Sequence, residues 1–431
     1  MSVPVQKDQV SVGYVQLVRQ NRNFRLLWIG EIISLLGDWF NLIASATLIA
    51  MLTESGLAVG GLFAVRMLAP FLTSPVAGVV ADRYNRKYIL IAADVIRAVA
   101  LVGFLFVRDP SHIWLLYVLT AIQLGIAGFF FPTRNAMLPD IVSERELGTA
   151  NALGSTTWST MLALGAAIGG FVSGTLGVYT AFMIDALTFA LSALFITQVA
   201  YRSHTQVSSS DTSLKAAFQE YLDGLRYLAG HGDILIITLH KAAIGLLLGP
   251  AFDIVQIAIS KEVFVRGEGG GISLGLMFGA TGIGTGIGPL VARHFTGDKE
   301  RLLRRVLIVG YIIGSLGLFT SGLLLNFGTT LVGLLIRGLG GGIIWVFSTQ
   351  LLLQLVPNRV RGRVFATEFA FFTLAGAAGS ALAGRALDSA MTISDVSWTI
   401  AALFLLPASL WALWLMIDKP LSKQNNFKTG E

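Results

Sequence analysis

The sequence predicts an all-α membrane protein with twelve transmembrane helices arranged as two six-helix bundles. Three observations carry this reading. First, of 431 residues 54% are hydrophobic and only 13% are charged, at a mean hydropathy of +0.71. A soluble domain carries about 25% charged residues, so lipid must be the solvent for much of this chain. Second, the apolar residues fall in runs that reach the roughly 20 residues needed to cross about 30 Å of hydrocarbon. Third, Lys and Arg concentrate on one side. With both ends placed together, twenty-three of the 31 fall in segments on that side. Three (Arg108, Lys261, Arg266) fall in the opposite loops and five (Arg66, Arg97, Lys241, Arg337, Arg385) inside helices. This is the bias that marks cytoplasmic loops.

Taken in order, the spans are expected near 24–52, 57–81, 88–107, 112–132, 147–175, 178–200, 233–258, 270–293, 305–326, 328–355, 363–388 and 396–417. A tail at 1–23 precedes a first bundle at 24–200. A linker at 201–232 leads to a second bundle at 233–417 and a tail at 418–431. Both tails and the linker are expected on the cytoplasmic side of the plasma (inner) membrane. The first 23 residues are polar and lack the short apolar core of a secretory signal. The linker opens with a Ser-rich stretch. It continues with Leu214, Phe218, Tyr221, Leu222, Leu225 and Leu228 at helical spacing, an amphipathic helix that lies on the membrane surface or binds a partner.

Composition also narrows function. The chain has no cysteine, which excludes disulfides, thiolate metal sites and Cys nucleophiles. The five histidines (His112, His204, His231, His240, His294) show no metal-ligand spacing, and neither a metal nor a cofactor is expected. The net charge of +6 is explained by topology, so it gives no support to nucleic-acid binding. The 48 glycines suit membrane helices whose backbones approach closely. The two halves share features in matching places: Gly78 to Arg83 resembles Gly288 to Arg293, and Leu138-Pro139-Asp140 resembles Val356-Pro357-Asn358. Such repeats place a substrate site between the halves.

The sharpest motif joins the second and third spans: Gly78-Val-Val-Ala81-Asp82-Arg83-Tyr84-Asn85-Arg86-Lys87. Glycine permits close helix approach, and a carboxylate at a helix end can accept from the exposed N–H groups that start another helix. A plain basic loop would need neither at these spacings. The motif resembles the major facilitator signature G-x-x-x-D-R-x-x-R-K. Phe24-Arg25-Leu-Leu-Trp28, Ser34-Leu-Leu-Gly37-Asp38-Trp39, Pro132-Thr-Arg134-Asn-Ala136, Ala150-Asn151-Ala152-Leu153 and Arg361-Gly362-Arg363-Val364-Phe365 extend the likeness to the branch containing macrolide-efflux proteins and the enterobactin exporter. The resemblance implies a drug:proton antiporter type of transporter. It also implies that Asp82 docks on the start of the eleventh helix, near Arg361, Gly362 and Arg363, in the outward-facing state, with Arg83 and Arg86 holding the latch. In the fifth span, Gly165-Ala166-Ala167-Ile168-Gly169-Gly170 is similar to the antiporter motif G-P-x-x-G-G with alanine at the proline position. Simple packing, with Gly271, Gly275 and Gly279 of the eighth span as the facing surface, and a role in export both remain open.

Charges inside the membrane each cost about 2.5–3.5 kcal/mol, so each needs a partner, a wet cavity or a function. Glu31, Ser34, Asp38 and Asn41 share one face of the first span and read as a cavity stripe, with Asp38 the candidate for proton coupling. The alternative is a buried pair with a basic residue from another helix. Arg66 and Arg337 either neutralise Asp38, meet an anionic substrate or form structural ion pairs. Asp94 and Arg97, at i and i+3, are expected to reach each other as gate structure. Lys241 and Glu368 are candidates for the second half of the cavity, with snorkelling a rival for Lys241. Asp185 and Asp253, placed nearer the outer surface, call for no special role. Gln123, Gln256, Gln350, Trp158 and Trp345 are neutral candidates for the lining, with packing the better account of the two tryptophans.

These features predict a monomeric secondary active exporter of a small amphipathic organic solute (a drug, siderophore or similar metabolite). It would work by alternating access in exchange for protons, with the lipid bilayer as its other partner. The sequence has no phosphate-binding Gly-Lys-Thr/Ser loop for an internal ATPase. An importer or a lysophospholipid-type flippase on the same scaffold is the alternative; a membrane enzyme or a sensor is remote.

Overall fold

The computed structural model describes residues 12–201 and 214–417; within helices the side chains of a few residues, Gly78 and Asp82 among them, lie outside the described set. Among the described residues every regular element is helical. A short α1 (Tyr14–Gln20) precedes α2 (Arg22–Leu52), α3 (Gly56–Arg83), α4 (Arg86–Gly103), α5 (Ile113–Ile141), α6 (Glu144–Leu176) and α7 (Val178–Thr197). The linker forms α8 (Leu214–Ala229). The second half comprises α9 (Gly232–Ala243), α10 (Pro250–Ala258), α11 (Gly271–Thr296), α12 (Glu300–Gly322), α13 (Phe327–Leu355), α14 (Asn358–Leu387) and α15 (Ile393–Ile417). Eleven segments among the described residues are long and apolar enough to cross a membrane, with α9 and α10 counted as one. The remaining segment, α6, has 33 residues, with Leu164–Leu176 a continuous apolar stretch among the described residues. All twelve expected spans are therefore present, and the chain is a multi-pass membrane protein. The face bearing α1 and α8 is termed the linker face and the opposite one the far face.

Local sequence explains where helices start and break. Asn21 caps α2 by accepting from the Phe24 N–H at 2.9 Å, and the Glu146 carboxylate returns to the Ser143 N–H at 2.9 Å to open α6. The fourth span does not stop at 132. It runs to Ile141 through Pro132 and Pro139. Both prolines point outward while Arg134, Met137, Leu138 and Ile141 are buried at helical spacing, so packing of that face outweighs the lost hydrogen bonds. The seventh span is interrupted. Pro250 offers no N–H and crowds the preceding turn, and the chain passes from α9 through a wide π turn at Ile244–Leu248 before α10 begins. Carbonyls freed there become acceptors for another helix.

The halves meet along two helix pairs, α3 with α14 and α6 with α11. At the second of these, Gly170 faces Gly271 and Gly275, and a Cβ on Gly275 would fall 2.6 Å from the Ala166 carbonyl oxygen. Gly165 and Gly169 do not join this seam as the sequence pattern suggested; they pack on Trp39 of α2, because i and i+4 differ in facing from Gly170. One hydrophobic core joins the halves: Phe40, Leu62, Phe104 and Phe182 share it with Ile254, Ile257, Leu274 and Phe278. The second-half members lie at the end of α10 and the start of α11, so the joined core sits toward the far face. On the linker side each half keeps its own core. The linker helix turns Gly224 onto the Arg363 carbonyl of α14 and buries Leu228 in the second-half core, so this part of α8 faces protein rather than lipid. The side chains of Leu214, Phe218 and Tyr221 lie outside the described set.

Replacing Gly275 by valine forces the α6–α11 backbones apart. The expected cost is about 1–3 kcal/mol, as for an overpacked core, read as a lower thermal unfolding temperature of the purified protein in detergent. An unchanged temperature would show that the seam tolerates a side chain.

Candidate functional site

Charged side chains gather in two layers at the middle of the spans. In the first half Asp38, near the centre of α2, forms an ion pair with Arg97 of α4. The Arg97 guanidinium also lies 3.9 Å from the Phe189 ring centroid of α7. The pair is asymmetric: the Arg97 side chain is 3% exposed and that of Asp38 27%, so the carboxylate is the member that meets the inter-helix space. Asp185 of α7 packs directly on α2 at Gly37, where a Cβ would overlap both Asp185 Oδ1 and Thr188 Oγ1. Glycine at 37 is what lets a second carboxylate settle beside Asp38. In the second half Arg337 of α13 donates from Nη2 to Asp253 at 3.1 Å. It also donates from Nε to the Leu248 carbonyl at 3.0 Å, one of the acceptors released by the break before Pro250. Gln256 donates to Asp253 Oδ1 at 2.9 Å.

Arg66 of α3 lies within electrostatic reach of Asp38, Arg97, Asp185 and Asp253. Its Nη1 is buried and has no hydrogen-bond partner among the described residues. A guanidinium at mid-membrane with an unused donor can take up an anionic group, and a partly exposed carboxylate such as Asp38 can exchange a proton.

Closer to the linker face, Arg134 of α5 donates through Nε and Nη2 to Glu31 Oε2 at 3.1 and 2.7 Å, with both side chains almost fully buried. Lys241 of α9 donates to Glu368 of α14 at 2.8 Å, again buried, and lies 4.6 Å from the Trp345 ring centroid. Glu31 and Lys241 each stand nine residues into the first helix of their half. The repeat thus places opposite charges at equivalent positions.

Several sequence expectations are corrected by this geometry. Asp94 is fully buried, but the ion-pair partner of Arg97 is Asp38; helical spacing permits an i, i+3 contact without preventing a neighbouring helix from supplying a better one. Arg337 serves Asp253 and the broken seventh span, not Asp38. Glu31 and Asn41 belong to the α2 stripe but are 6% and 1% exposed, Glu31 being consumed by Arg134. Gln123 is fully buried with both amide atoms unpartnered, so it does not line open space. Gln350 reaches Asp298 at 2.7 Å, an exposed contact. Asp185 and Asp253, set aside on sequence, sit at the centre. The signal for them was their position inside apolar spans, Asp185 in α7 and Asp253 in α10. Arg134 was missed because Pro132 read as a helix end.

In the motif between the second and third spans, Arg86 and Lys87 are engaged within their own half. Arg86 pairs with Asp140 at 2.8 Å and donates to the Ala136 carbonyl at 3.0 Å. Lys87 donates to the Thr197 and Val199 carbonyls at 2.7 and 2.8 Å, and Arg83 is exposed. At the start of the eleventh span, Arg361 caps the Leu353 and Val356 carbonyls, nothing lies within 4 Å of a Cβ on Gly362, and Arg363 pairs with Asp223 of α8 at 3.6 Å. The expected docking of Asp82 falls on a side chain outside the described set. Among the described residues no group of three or more His, Asp or Glu side chains is placed to hold a metal ion.

Comparison with known proteins places this arrangement. The family model described as Major Facilitator Superfamily matches residues 27–380 and 270–430. The chain is 27% identical to the MFS-type transporter YfiS of Bacillus subtilis over 376 residues, 85% of this chain and 87% of that protein. It is 25% identical to the multi-drug resistance efflux pump PmrA of Streptococcus pneumoniae over 341 residues, 77% of this chain and 79% of the pump. Among solved structures, the nucleoside transporter NupG matches at a TM-score of 0.69 with 13% identity, over 92% of this chain and 98% of that one. A D-xylose-proton symporter matches at 0.68 with 15% identity, over 93% and 97%.

Removing one member of a buried pair strands the other, which costs about 3–5 kcal/mol. Glu31→Gln is therefore expected to lower the unfolding temperature sharply, and Glu31→Gln with Arg134→Met to restore much of it. Additive losses in the two single variants and the double would show that the pair does not act as a unit.

Proposed function

The chain belongs to the Major Facilitator Superfamily, and from that premise we propose that it is a secondary active exporter. It moves a small amphipathic organic solute out of the cell by alternating access, in exchange for protons. Its linker face is cytoplasmic, as the bias of Lys and Arg argues, so both termini lie inside and the membrane is the plasma (inner) membrane. The likeness to the efflux pump PmrA supports outward direction.

The observation that carries the proposal is Arg66, whose buried Nη1 has no hydrogen-bond partner among the described residues, within electrostatic reach of Asp38 and of charged groups from both halves. The solute occupies the space between them, with an anionic group on Arg66 and apolar parts against aromatic side chains. Asp38 is the coupling carboxylate. When it takes a proton its pair with Arg97 is lost, and Arg97 retains the Phe189 face. Proton binding thereby changes the packing of α2 against α4 and α7, which is the linkage an exchanger needs. The joined core toward the far face corresponds to a state closed outside and open to the cytoplasm. In the opposite state Asp82 docks on the start of α14, and Arg363 must exchange its contact with Asp223 for the new one.

Two measurements test this. In proteoliposomes an imposed proton gradient is expected to drive dye transport by the natural protein but not by Asp38→Asn, while solute counterflow without a gradient persists. Proton-driven transport at the natural rate in Asp38→Asn would remove that residue from coupling. Arg66→Gln should weaken anionic dyes selectively, by about tenfold or more, since a hydrogen bond to a charged group is worth about 1.5–3 kcal/mol. Equal weakening of anionic and cationic dyes would sink the assignment of Arg66.

A further inference from the structure

The far-face ends of the halves carry a contact that no part of the transport site explains. α3 and α14 run antiparallel, with the start of one against the end of the other: a Cβ on Gly56 would lie 2.7 Å from the Gly384 carbonyl oxygen, and one on Gly60 would lie 2.6 Å from that of Ser380. Asp388 follows the last residue of α14. Its carboxylate crosses to the other half and accepts from the Ser55 hydroxyl at 2.9 Å, the Leu57 N–H at 2.9 Å and the Gly56 N–H. The two N–H groups are among those left without an intrahelical partner at the start of α3. At the other end of the same turn, Lys261 of the second half donates to the Thr53 carbonyl at 3.2 Å, and Thr53 caps the end of α2.

The charges suit the helix ends they touch. A carboxylate meets the positive N-terminus of α3, and an ammonium meets the negative C-terminus of α2. Both come from the second half and grip the same short turn, 53–57, of the first. A cavity of about 320 Å³ opens beside them, lined among others by Ala50, Ser55, Lys261 and Asp388. Water entering there can replace each bond as it breaks, so the contact can open without leaving a buried group unsatisfied.

We propose that Asp388 and Lys261 are positioning residues of the transport cycle that clamp the turn 53–57 and hold the far face shut. The proposal rests on the alternating-access reading, but its test needs neither a substrate nor a proton gradient. It can therefore fail while export stands, or stand while export fails.

The chain contains no cysteine, so one introduced thiol reports alone. Ala50 is 4% exposed and lines the cavity behind the clamp; Ala46, one turn deeper, is fully buried and serves as a control. A membrane-impermeant maleimide applied to spheroplasts is expected to label Ala50→Cys slowly. Labelling should be about fivefold faster or more in Asp388→Ala, the equivalent of losing one helix cap, and also faster in Lys261→Met, with Ala46→Cys unlabelled throughout. Unchanged rates in both clamp variants would overturn the proposal. So would equal acceleration at Ala46→Cys, which marks general loosening rather than gate opening. Should Asp388→Ala fail to accumulate in the membrane, Lys261→Met alone decides by the same criteria.

Discussion

An ion in hydrocarbon must have a partner, and much of this architecture follows from that requirement. Among the described residues the interior pairs are Glu31–Arg134, Asp38–Arg97, Asp253–Arg337 and Lys241–Glu368. Each ties two helices together, and each lies within one half of the chain. Separating such a pair would leave bare charges in a low-dielectric medium, so each half is fastened internally by its most costly contacts. Between the halves the contacts are of another kind: glycine against glycine along α6 and α11, a shared apolar core toward the far face, and polar bonds at helix ends. Those can part with water or lipid replacing what is lost. The distribution of ion pairs alone therefore favours two rigid bodies moving about a weak seam.

The repeat is visible in how the charges are spaced, yet each half solves its local problem differently. Glu31 and Lys241 occupy equivalent depths but need partners of opposite sign, found on α5 in one half and α14 in the other. The second half also contains the break before Pro250, whose freed Leu248 carbonyl must be satisfied away from water. Arg337 does this while pairing with Asp253. One guanidinium thus completes both a backbone defect and an ion pair. Arg66 has no comparable assignment, and that difference separates a structural arginine from one with capacity to spare.

The spans were legible in sequence because each depends on local composition. Periodicity also identified the stripe on α2. It could not name the helix that stripe would meet. Asp94 and Arg97 are close along one helix, yet Arg97 is claimed by Asp38 from another, since tertiary packing decides among contacts that local geometry merely permits. Pro132 shows the same limit in the backbone: its ring argues for a stop, but the buried face through Arg134, Met137 and Ile141 continues the helix. Asp185 gained its place only through the absence of a side chain at Gly37, a relation between two spans distant in sequence. What lay beyond reading was mostly of this pairwise kind.

The clamp at the far face has a feature that bears on its strength. Asp388 stands at the C-terminal end of its own helix, where the exposed carbonyls repel a carboxylate by about 0.3–1 kcal/mol. The same group caps α3, a contact worth about 1 kcal/mol. A carboxylate so placed gains little net energy by docking on the neighbour. A latch with a large net gain would trap one state, because moving a two-state equilibrium across its range takes about 5.5 kcal/mol. A weak clamp at the far face leaves that face free to open and to close again.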